Sequence, residues 1–264
     1  IASASKEFAH LVGKNVTGEP FISCGQCLTC RSGRYNLCPT RYELGVRGDY
    51  AGGTAKYLSI PATNVHEIPS NVPLNEALLA EPGVTVEKSR LQTGETAAVI
   101  GSGTLGLLIL QIAQSIGAQV SVIGIDKDTL ETAKKLGAAA VYPPDDAPNN
   151  AFNVVFESSG SAQVGALITR IAANAGRIMQ VGIPSRPLDG LNLSDFVSKG
   201  LTLEGILGGV HLMPRVLGLI SRGIIKPKEM VHEILPISRV EEAFELVTAT
   251  GRSKPKILLD MKSL

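Results

Sequence analysis

The sequence predicts an α/β protein in which a doubly wound parallel sheet follows a smaller β-rich domain. Apolar runs of strand length alternate with stretches of helix length from residue 96 to residue 221, which is typical of a parallel sheet covered by helices on both faces. Residues 1–80 are instead rich in turns, glycine and proline. A glycine-rich turn directly after the apolar run at residues 97–100 indicates where the sheet begins.

That turn has the spacing G-x-G-x-x-G, and the sequence predicts a strand before it and a helix after it. Gly101 permits the tight turn, Gly103 lets the backbone approach a pyrophosphate, and Gly106 lets helix and strand pack closely. The helix adds free N–H groups and the positive end of its dipole. A second strand at residues 120–125 completes the unit, which predicts dinucleotide binding at Gly101, Gly103, Thr104, Leu105 and Gly106.

The later elements follow the same alternation. A helix is expected at residues 128–136, with Asp128 as its N-cap and Gly137 as its stop. Further helices are predicted at residues 161–171, 213–221 and 240–247, and further strands at residues 153–156, 176–181, 202–206, 234–235 and 257–260. In the first domain, residues 54–60 and 65–68 alternate as short strands would.

Composition excludes several classes of protein. Lys and Arg number 25 against 24 Asp and Glu, so the chain has no basic field for nucleic acid. Charges or glycines interrupt every apolar run before it reaches the length of a membrane span, and no signal peptide is visible at the start. We therefore expect no nucleic-acid or membrane partner.

All four cysteines lie in one short stretch, as C-x-x-C-x-x-C followed after seven residues by the fourth. Paired disulfides suit such crowding poorly, and a ferredoxin-type iron–sulfur run has three residues before its last cysteine. Four thiolates can enclose one tetrahedral Zn²⁺ with no open position. The spacing favours a structural zinc held by Cys24, Cys27, Cys30 and Cys38 in a reducing compartment.

Four stretches together resemble the zinc-containing medium-chain alcohol and polyol dehydrogenases, closest to the sorbitol, threonine and butanediol dehydrogenase branch. They are CGQCLTCRSGRYNLCP at residues 24–39, the glycine pair at 52–53, LAEP at 79–82 and GSGTLG at 101–106. The resemblance implies a GroES-like catalytic domain at residues 1–82, a Rossmann domain at 83–222 and a return to the first domain at 223–264. It also implies zinc, NAD or NADP, a small alcohol, polyol or carbonyl substrate, a homo-oligomer and a cytoplasmic location.

The chain departs from this family at its catalytic zinc. Relatives take ligands from an early cysteine, the histidine of G-H-E and a nearby carboxylate, but Lys6 stands where that histidine is expected. Glu7 and Glu81 remain as candidate ligands, and Glu81 is the candidate catalytic residue. Glu81 equally fits an interdomain hydrogen bond, and His10 fits an ordinary surface or core histidine. Segments normal in the family are also missing after Thr17 and after Glu81. Either the sequence omits segments that the protein possesses, or they are truly deleted and the chain is a zinc-depleted relative.

The resemblance also locates cofactor contacts beyond the glycine turn. Gly124 occupies the place of the ribose-binding acid of NAD-specific relatives, and Lys127 could pair with a 2′-phosphate, which slightly favours NADP. Asp126 could instead reach the ribose and favour NAD. Asp126 and Lys127 also fit a solvated turn in which Asp126 shares a capping role with Asp128. The strand ends that line the nicotinamide pocket in relatives correspond to Val181, Gly182, Leu207 and Gly208.

The favoured hypothesis is a zinc-dependent oxidoreductase that interconverts an alcohol or polyol and its carbonyl compound. Two rivals remain open at this level. One is a medium-chain reductase that keeps only the structural zinc, and the other is a nucleotide-binding relative without activity. Metal content separates the first hypothesis from the others, and turnover of a carbonyl separates the two rivals.

Overall fold

The computed structural model describes residues 1–85, 89–209, 212–249, 251 and 253–262. Its amino-terminal region consists of short elements: β1 (Val16–Gly18), β2 (Phe21–Ile22), α1 (Leu28–Arg31), β3 (Tyr42–Glu43), β4 (Val65–Glu67) and α2 (Leu74–Ala77). Strand β1 pairs antiparallel with β4, and β2 pairs antiparallel with β3. The strand expected at residues 65–68 is therefore present.

The strand expected at residues 54–60 is not formed. This segment lines a cavity of about 950 Å³ together with residues 1–5 and β1, and no strand of the described chain pairs with it to form a ladder. Tyr57 is 73% exposed there. An alternating pattern alone does not make a strand, because the backbone N–H and C=O groups also need a partner.

Residues 96–205 form the predicted parallel sheet. Its strands are β5 (Thr96–Ile100), β6 (Gln119–Ile123), β7 (Ala140–Tyr142), β8 (Phe152–Glu157), β9 (Ala172–Gln180) and β10 (Thr202–Gly205), in the order β10-β9-β8-β5-β6-β7. Every neighbouring pair is parallel. Sequence reasoning missed β7, whose three residues are all only partly buried and give no clear apolar run.

Helices cover both faces of this sheet. They are required because successive side chains of β5 point to opposite faces and are apolar on both. Ala97 and Val99 join the hydrophobic core on one face, and Ala98 and Ile100 join the core on the other. The helices are α3 (Thr104–Ser115), α4 (Lys127–Lys135), α5 (Gly165–Ile171), α6 (Leu193–Lys199) and α7 (Met213–Ser221). The doubly wound α/β class is thereby confirmed.

One predicted helix cap is wrong. Helix α4 begins at Lys127, and its N-cap is Asp126 rather than Asp128. The Asp126 carboxylate accepts hydrogen bonds from the N–H groups of Asp128, at 2.9 Å, and Thr129, at 3.0 Å. Both residues are acids that can cap a helix, so composition does not distinguish them; only the backbone turn after β6 does.

The chain ends in β11 (Val231–Pro236), α8 (Val240–Thr248) and β12 (Lys256–Asp260). The two strands pair in parallel, and α8 closes a small core over them that contains Leu235, Ala243 and Ile257. Within the described residues, no helix has both the length and the apolar character needed to cross a membrane. The division into segments 1–82, 83–222 and 223–264 stays a prediction.

Candidate functional site

The glycine turn between β5 and α3 leaves a cradle that is open at one point. Gly101 has φ of +102°, and a Cβ on it would lie 2.9 Å from the backbone nitrogen of Ser159. A Cβ on Gly106 would lie 1.8 Å from the carbonyl oxygen of Gly101. Gly103 differs, because a Cβ there would meet no atom within 4 Å. The space beside Gly103 can therefore accept a ligand.

Helix α3 turns its amino end towards that space. Gly103 is its N-cap and makes no side-chain capping bond, so the first N–H groups of Thr104 and Leu105 are not satisfied by a cap side chain. Twelve residues of helix add a positive dipole end at the same place. An anion the size of a pyrophosphate suits such a site.

The cradle also lies where the order of the strands reverses. Strand β5 stands between β6, which continues to β7, and β8, which continues to β9 and β10. Crevices outside the carboxyl ends of the strands at such a switch point are the usual ligand sites of open α/β sheets. The turn after β8 forms a second edge of the cradle, since Ser159 is the residue that a Cβ on Gly101 would meet first.

Sequence reasoning missed Glu157, whose side chain fixes the turn after β8. Its fully buried carboxylate accepts hydrogen bonds from the N–H groups of Ser159, at 2.7 Å, and Gly160, at 3.1 Å, and from the amide of Gln180, at 2.6 Å. A Cβ on Gly182 would lie 2.6 Å from the same carboxylate. The only sequence signal was an acid at the end of an apolar strand.

The residues proposed for the ribose end lie close together but are already engaged. A Cβ on Gly124 would lie 2.7 Å from Ser102 Oγ, which is itself 2.5 Å from the hydroxyl of Thr129. The second carboxylate oxygen of Asp126 accepts from the N–H of Gly251 at 3.3 Å. Its hydrogen bonds, led by that from Thr129, hold the pKa of Asp126 below its usual value. Lys127 is exposed.

The four cysteine side chains converge on one point. Their sulfur atoms all lie within 4.8 Å of one another, with Cys27–Cys30 at 3.5 Å and Cys24–Cys38 at 3.6 Å. A tetrahedral zinc with Zn–S bonds of about 2.3 Å places its sulfurs about 3.8 Å apart, so the cluster fits that ion. It is the only such group of three or more metal-binding side chains among the described residues.

Local structure brings these cysteines together. Cys27 caps α1 by accepting the N–H of Cys30 at 3.4 Å, and Cys38 directly follows the 3₁₀ helix Tyr35–Leu37. A backbone hydrogen bond from Cys24, with Thr40, lowers the pKa of the Cys38 thiol to about 6. Partial burial and a hydrogen bond with the Cys27 side chain raise the pKa of the Cys30 thiol to about 11. The cluster thus mixes a ready thiolate with a thiol that must lose its proton to bind metal.

The expected second metal site is not assembled by the described residues. Glu7 is exposed on the 3₁₀ helix Lys6–Leu11, as is His10. Glu81 is half-buried after the 3₁₀ helix Leu78–Ala80, and neither glutamate joins a group of three metal-binding side chains in the described part of the chain. Burial raises the pKa of Glu81 against the attraction of Lys256. The described residues therefore do not fit a catalytic zinc.

Comparison with known proteins identifies both the amino-terminal region and the dinucleotide-binding region of the chain. Residues 1–70 match the model of the alcohol dehydrogenase GroES-like domain, and residues 104–222 match that of the zinc-binding dehydrogenases. The chain is 31% identical over 267 residues to L-threonine 3-dehydrogenase of Bacillus velezensis, covering 94% of this chain and 76% of the relative.

Solved structures show the same relationship. An enzyme of Escherichia coli CFT073 described as a short chain alcohol dehydrogenase, complexed with NADH, superposes with a TM-score of 0.88 at 25% identity, covering 98% of this chain and 80% of that one. The 2R,3R-butanediol dehydrogenase of Bacillus subtilis superposes with a TM-score of 0.83 at 26% identity, covering 95% and 75%. The chain belongs to the zinc-containing medium-chain alcohol and polyol dehydrogenases, a family of NAD(P)-dependent oxidoreductases.

Proposed function

We propose that this protein interconverts a secondary alcohol or polyol and its carbonyl compound with NAD or NADP. The observation that carries the proposal is the cradle at Gly103, which is open, lies at the amino end of α3 and stands at the switch point of the sheet. Names of similar proteins support the substrate class, since threonine and butanediol are both oxidised at a secondary hydroxyl.

The chain's own residues would then bind and orient the dinucleotide. The turn from Gly101 to Gly106 would hold the pyrophosphate, and the strand ends at Val181, Gly182, Leu207 and Gly208 would line the nicotinamide. Glu157 would keep the turn after β8 in place by accepting the N–H groups of Ser159 and Gly160. When bound, the dinucleotide supplies the hydride acceptor for the alcohol carbon.

We further propose that Cys24, Cys27, Cys30 and Cys38 hold one structural Zn²⁺. The sulfur separations support a closed tetrahedral set, which stabilises a loop and leaves no position for substrate. No catalytic step is assigned to this metal. Its task is to fix residues 24–38 against the rest of the molecule.

Glu81 is the carboxylate that we assign to the reaction centre. It stands where the chain passes from the first domain to the sheet, and burial raises its pKa, a perturbation typical of carboxyl groups in active sites. Because the described residues do not complete a catalytic zinc site, a medium-chain reductase that keeps only the structural zinc is the second candidate function.

For the cofactor we propose a preference for NADP. Gly124 presents no acid to a 2′-phosphate, the Asp126 carboxylate is already used as the cap of α4, and Lys127 is exposed beside it. We also propose a cytoplasmic homo-oligomer. The cysteine cluster suits a reducing compartment, and β10 at the edge of the sheet offers an unpaired ladder, with Leu203 41% exposed, to a second copy.

The test is to titrate the purified protein with NADH and NADPH by fluorescence, and then to assay secondary alcohols and polyols in the oxidising direction and their ketones in the reducing direction. We expect saturable binding, turnover in both directions and at least one zinc per chain. Turnover of ketones or activated double bonds, with one zinc and no alcohol oxidation, would favour the second candidate. Absence of dinucleotide binding would refute both.

A further inference from the structure

The loop that carries the four cysteines also reaches the segment assigned to the nicotinamide. Asn36 lies on the 3₁₀ helix Tyr35–Leu37, two residues before Cys38, and is fully buried. Its side-chain amide donates a hydrogen bond to the carbonyl oxygen of Leu207, 171 residues later in the chain. A residue close to a metal ligand is thus joined to the segment that follows β10.

A second contact joins the other end of the same loop to the same segment. Phe21, three residues before Cys24, is buried on β2. Gly208 has φ of +54°, and a Cβ on it would lie 2.7 Å from Cε2 of Phe21. Leu207 and Gly208 are therefore fixed from both ends of the cysteine loop, by a hydrogen bond and by a packed ring.

The 3₁₀ helix Tyr35–Leu37 is also hydrogen-bonded to its own amino-terminal region. The hydroxyl of Tyr35 donates to the buried carboxylate of Glu19, and Nε2 of His66 lies 3.0 Å from the other oxygen of that carboxylate. Because Tyr35 and Asn36 are adjacent, one neighbour anchors the helix in its own domain while the other reaches out of it. A shift of the cysteine loop would therefore be passed to Leu207.

The Asn36 amide also has an unused half. Its Oδ1 is buried and has no hydrogen-bond partner among the described residues. A buried acceptor without a partner opposes folding, so an apolar side chain of similar size would be expected here if packing were the only requirement. The one bond the amide makes is the bond that leaves its own domain.

We propose that Asn36 is a positioning residue that ties the geometry of the four-cysteine site to dinucleotide affinity. With the cysteines held in place, Asn36 fixes the Leu207 carbonyl and with it the backbone that faces the nicotinamide. Loss of metal or of the amide releases that segment. The inference rests on the proposed function, because it takes Leu207 and Gly208 as part of the nicotinamide pocket.

The first test is Asn36→Leu in the full chain, which keeps the volume and removes the donor. Removal of the unpaired Oδ1 offsets the stranded carbonyl of Leu207, so we expect a folded protein with unchanged zinc. NADPH and NADH should bind about tenfold more weakly, the loss typical of one hydrogen bond. Zinc removal by a chelator should weaken binding to the wild type similarly and add no further loss in Asn36→Leu.

Asn71→Ala is the matched control. The Asn71 amide donates to the carbonyl of Ser221 at 2.9 Å, which is the same kind of bond from the amino-terminal region to the dinucleotide-binding region, but it ends on α7. We expect unchanged dinucleotide affinity in this variant and an unchanged response to zinc removal.

Asn36→Gln supplies a readout that a merely structural role would not move. Its side chain keeps the amide donor that leucine lacks, so the affinity for NADPH and NADH should recover relative to Asn36→Leu at equal zinc content. If Asn36→Leu binds the dinucleotides like the wild type, or if Asn36→Gln, folded and with its zinc, binds them as weakly as the zinc-depleted wild type, the inference is wrong and the proposed function stands. If the wild type binds neither dinucleotide, both fail.

Discussion

Two alanine substitutions in the same turn should have opposite consequences. Gly106→Ala places a Cβ 1.8 Å from the Gly101 carbonyl, whereas real Cβ contacts are not found below 3.0 Å, so the atoms must separate by 3.0 − 1.8 = 1.2 Å. Helix α3 cannot easily make that move, because Leu107, Leu108 and Leu110 behind it are fully buried. The strain therefore remains in the folded state.

The magnitude follows from two opposing terms. Overpacking a core costs about 1–3 kcal/mol, and the large displacement puts this site at about 3. Replacing glycine within a helix returns about 1 kcal/mol. The net loss is about 2 kcal/mol, or about 4–8 °C in melting temperature for a chain of this size. Thermal unfolding followed by circular dichroism measures it directly.

Gly103→Ala should instead spare stability and impair binding. Its backbone angles, φ −77° and ψ −173°, suit alanine, and the new methyl meets no protein atom within 4 Å. We expect a free energy of unfolding within about 1 kcal/mol of the wild-type value, because the lower conformational entropy of the unfolded chain offsets the poorer N-cap that alanine makes. Dinucleotide affinity should fall at least about tenfold, since the methyl occupies the phosphate site.

The pair separates the two roles because each variant serves as the control for the other. Wild-type affinity in Gly103→Ala would mean that no phosphate lies against residue 103, and the proposed site would be wrong. Wild-type stability in Gly106→Ala would mean that the contact with Gly101 relaxes without cost, and the packing argument would be wrong.

Four further outcomes follow from single sites. Cys27→Ser should release zinc and lower the melting temperature, seen by metal analysis and thermal unfolding. Lys127→Ala should lower the affinity for NADPH and leave the affinity for NADH unchanged in titrations. An equal loss of affinity for both would contradict a contact between Lys127 and the 2′-phosphate. Because burial raises the pKa of Glu81, the folded state binds its proton more tightly than the unfolded state does, so the free energy of unfolding falls as the pH rises from the unfolded-state pKa of Glu81 through its folded-state pKa. Glu81→Gln should abolish this fall, measured by denaturant titrations at several pH values, and should reduce turnover. Ala175→Gly should stabilise by at most about 1 kcal/mol in urea unfolding, since Ala175 has φ of +57°.

The proposed Lys127 substitution is preferred over one at Gly124 for a structural reason. An acid at residue 124 would test 2′-phosphate repulsion in principle, but its Cβ would lie 2.7 Å from Ser102 Oγ. Ser102 belongs to the glycine turn and is tied to Thr129. A change at Gly124 would disturb the turn as well as the charge, and the two effects could not be separated.

The sequence by itself determined what depends on spacing along the chain. The glycine spacing predicted the turn at Gly101, the helix at residues 213–221 was predicted with its observed bounds, and the cysteine spacing predicted a cluster that the structure brings within 4.8 Å. In each case the pattern repeats within a single element or loop, so its neighbours in sequence are also its neighbours in space.

Only the tertiary structure decided which distant groups meet. Asp126 became the cap of α4 and met Gly251, Glu157 met the amide of Gln180, and Asn36 met the carbonyl of Leu207. Residues 54–60 carried a strand pattern and found no partner. A hydrogen bond requires two groups at one place, and for residues far apart in sequence that place is set by the packing of the elements between them, which no local pattern encodes.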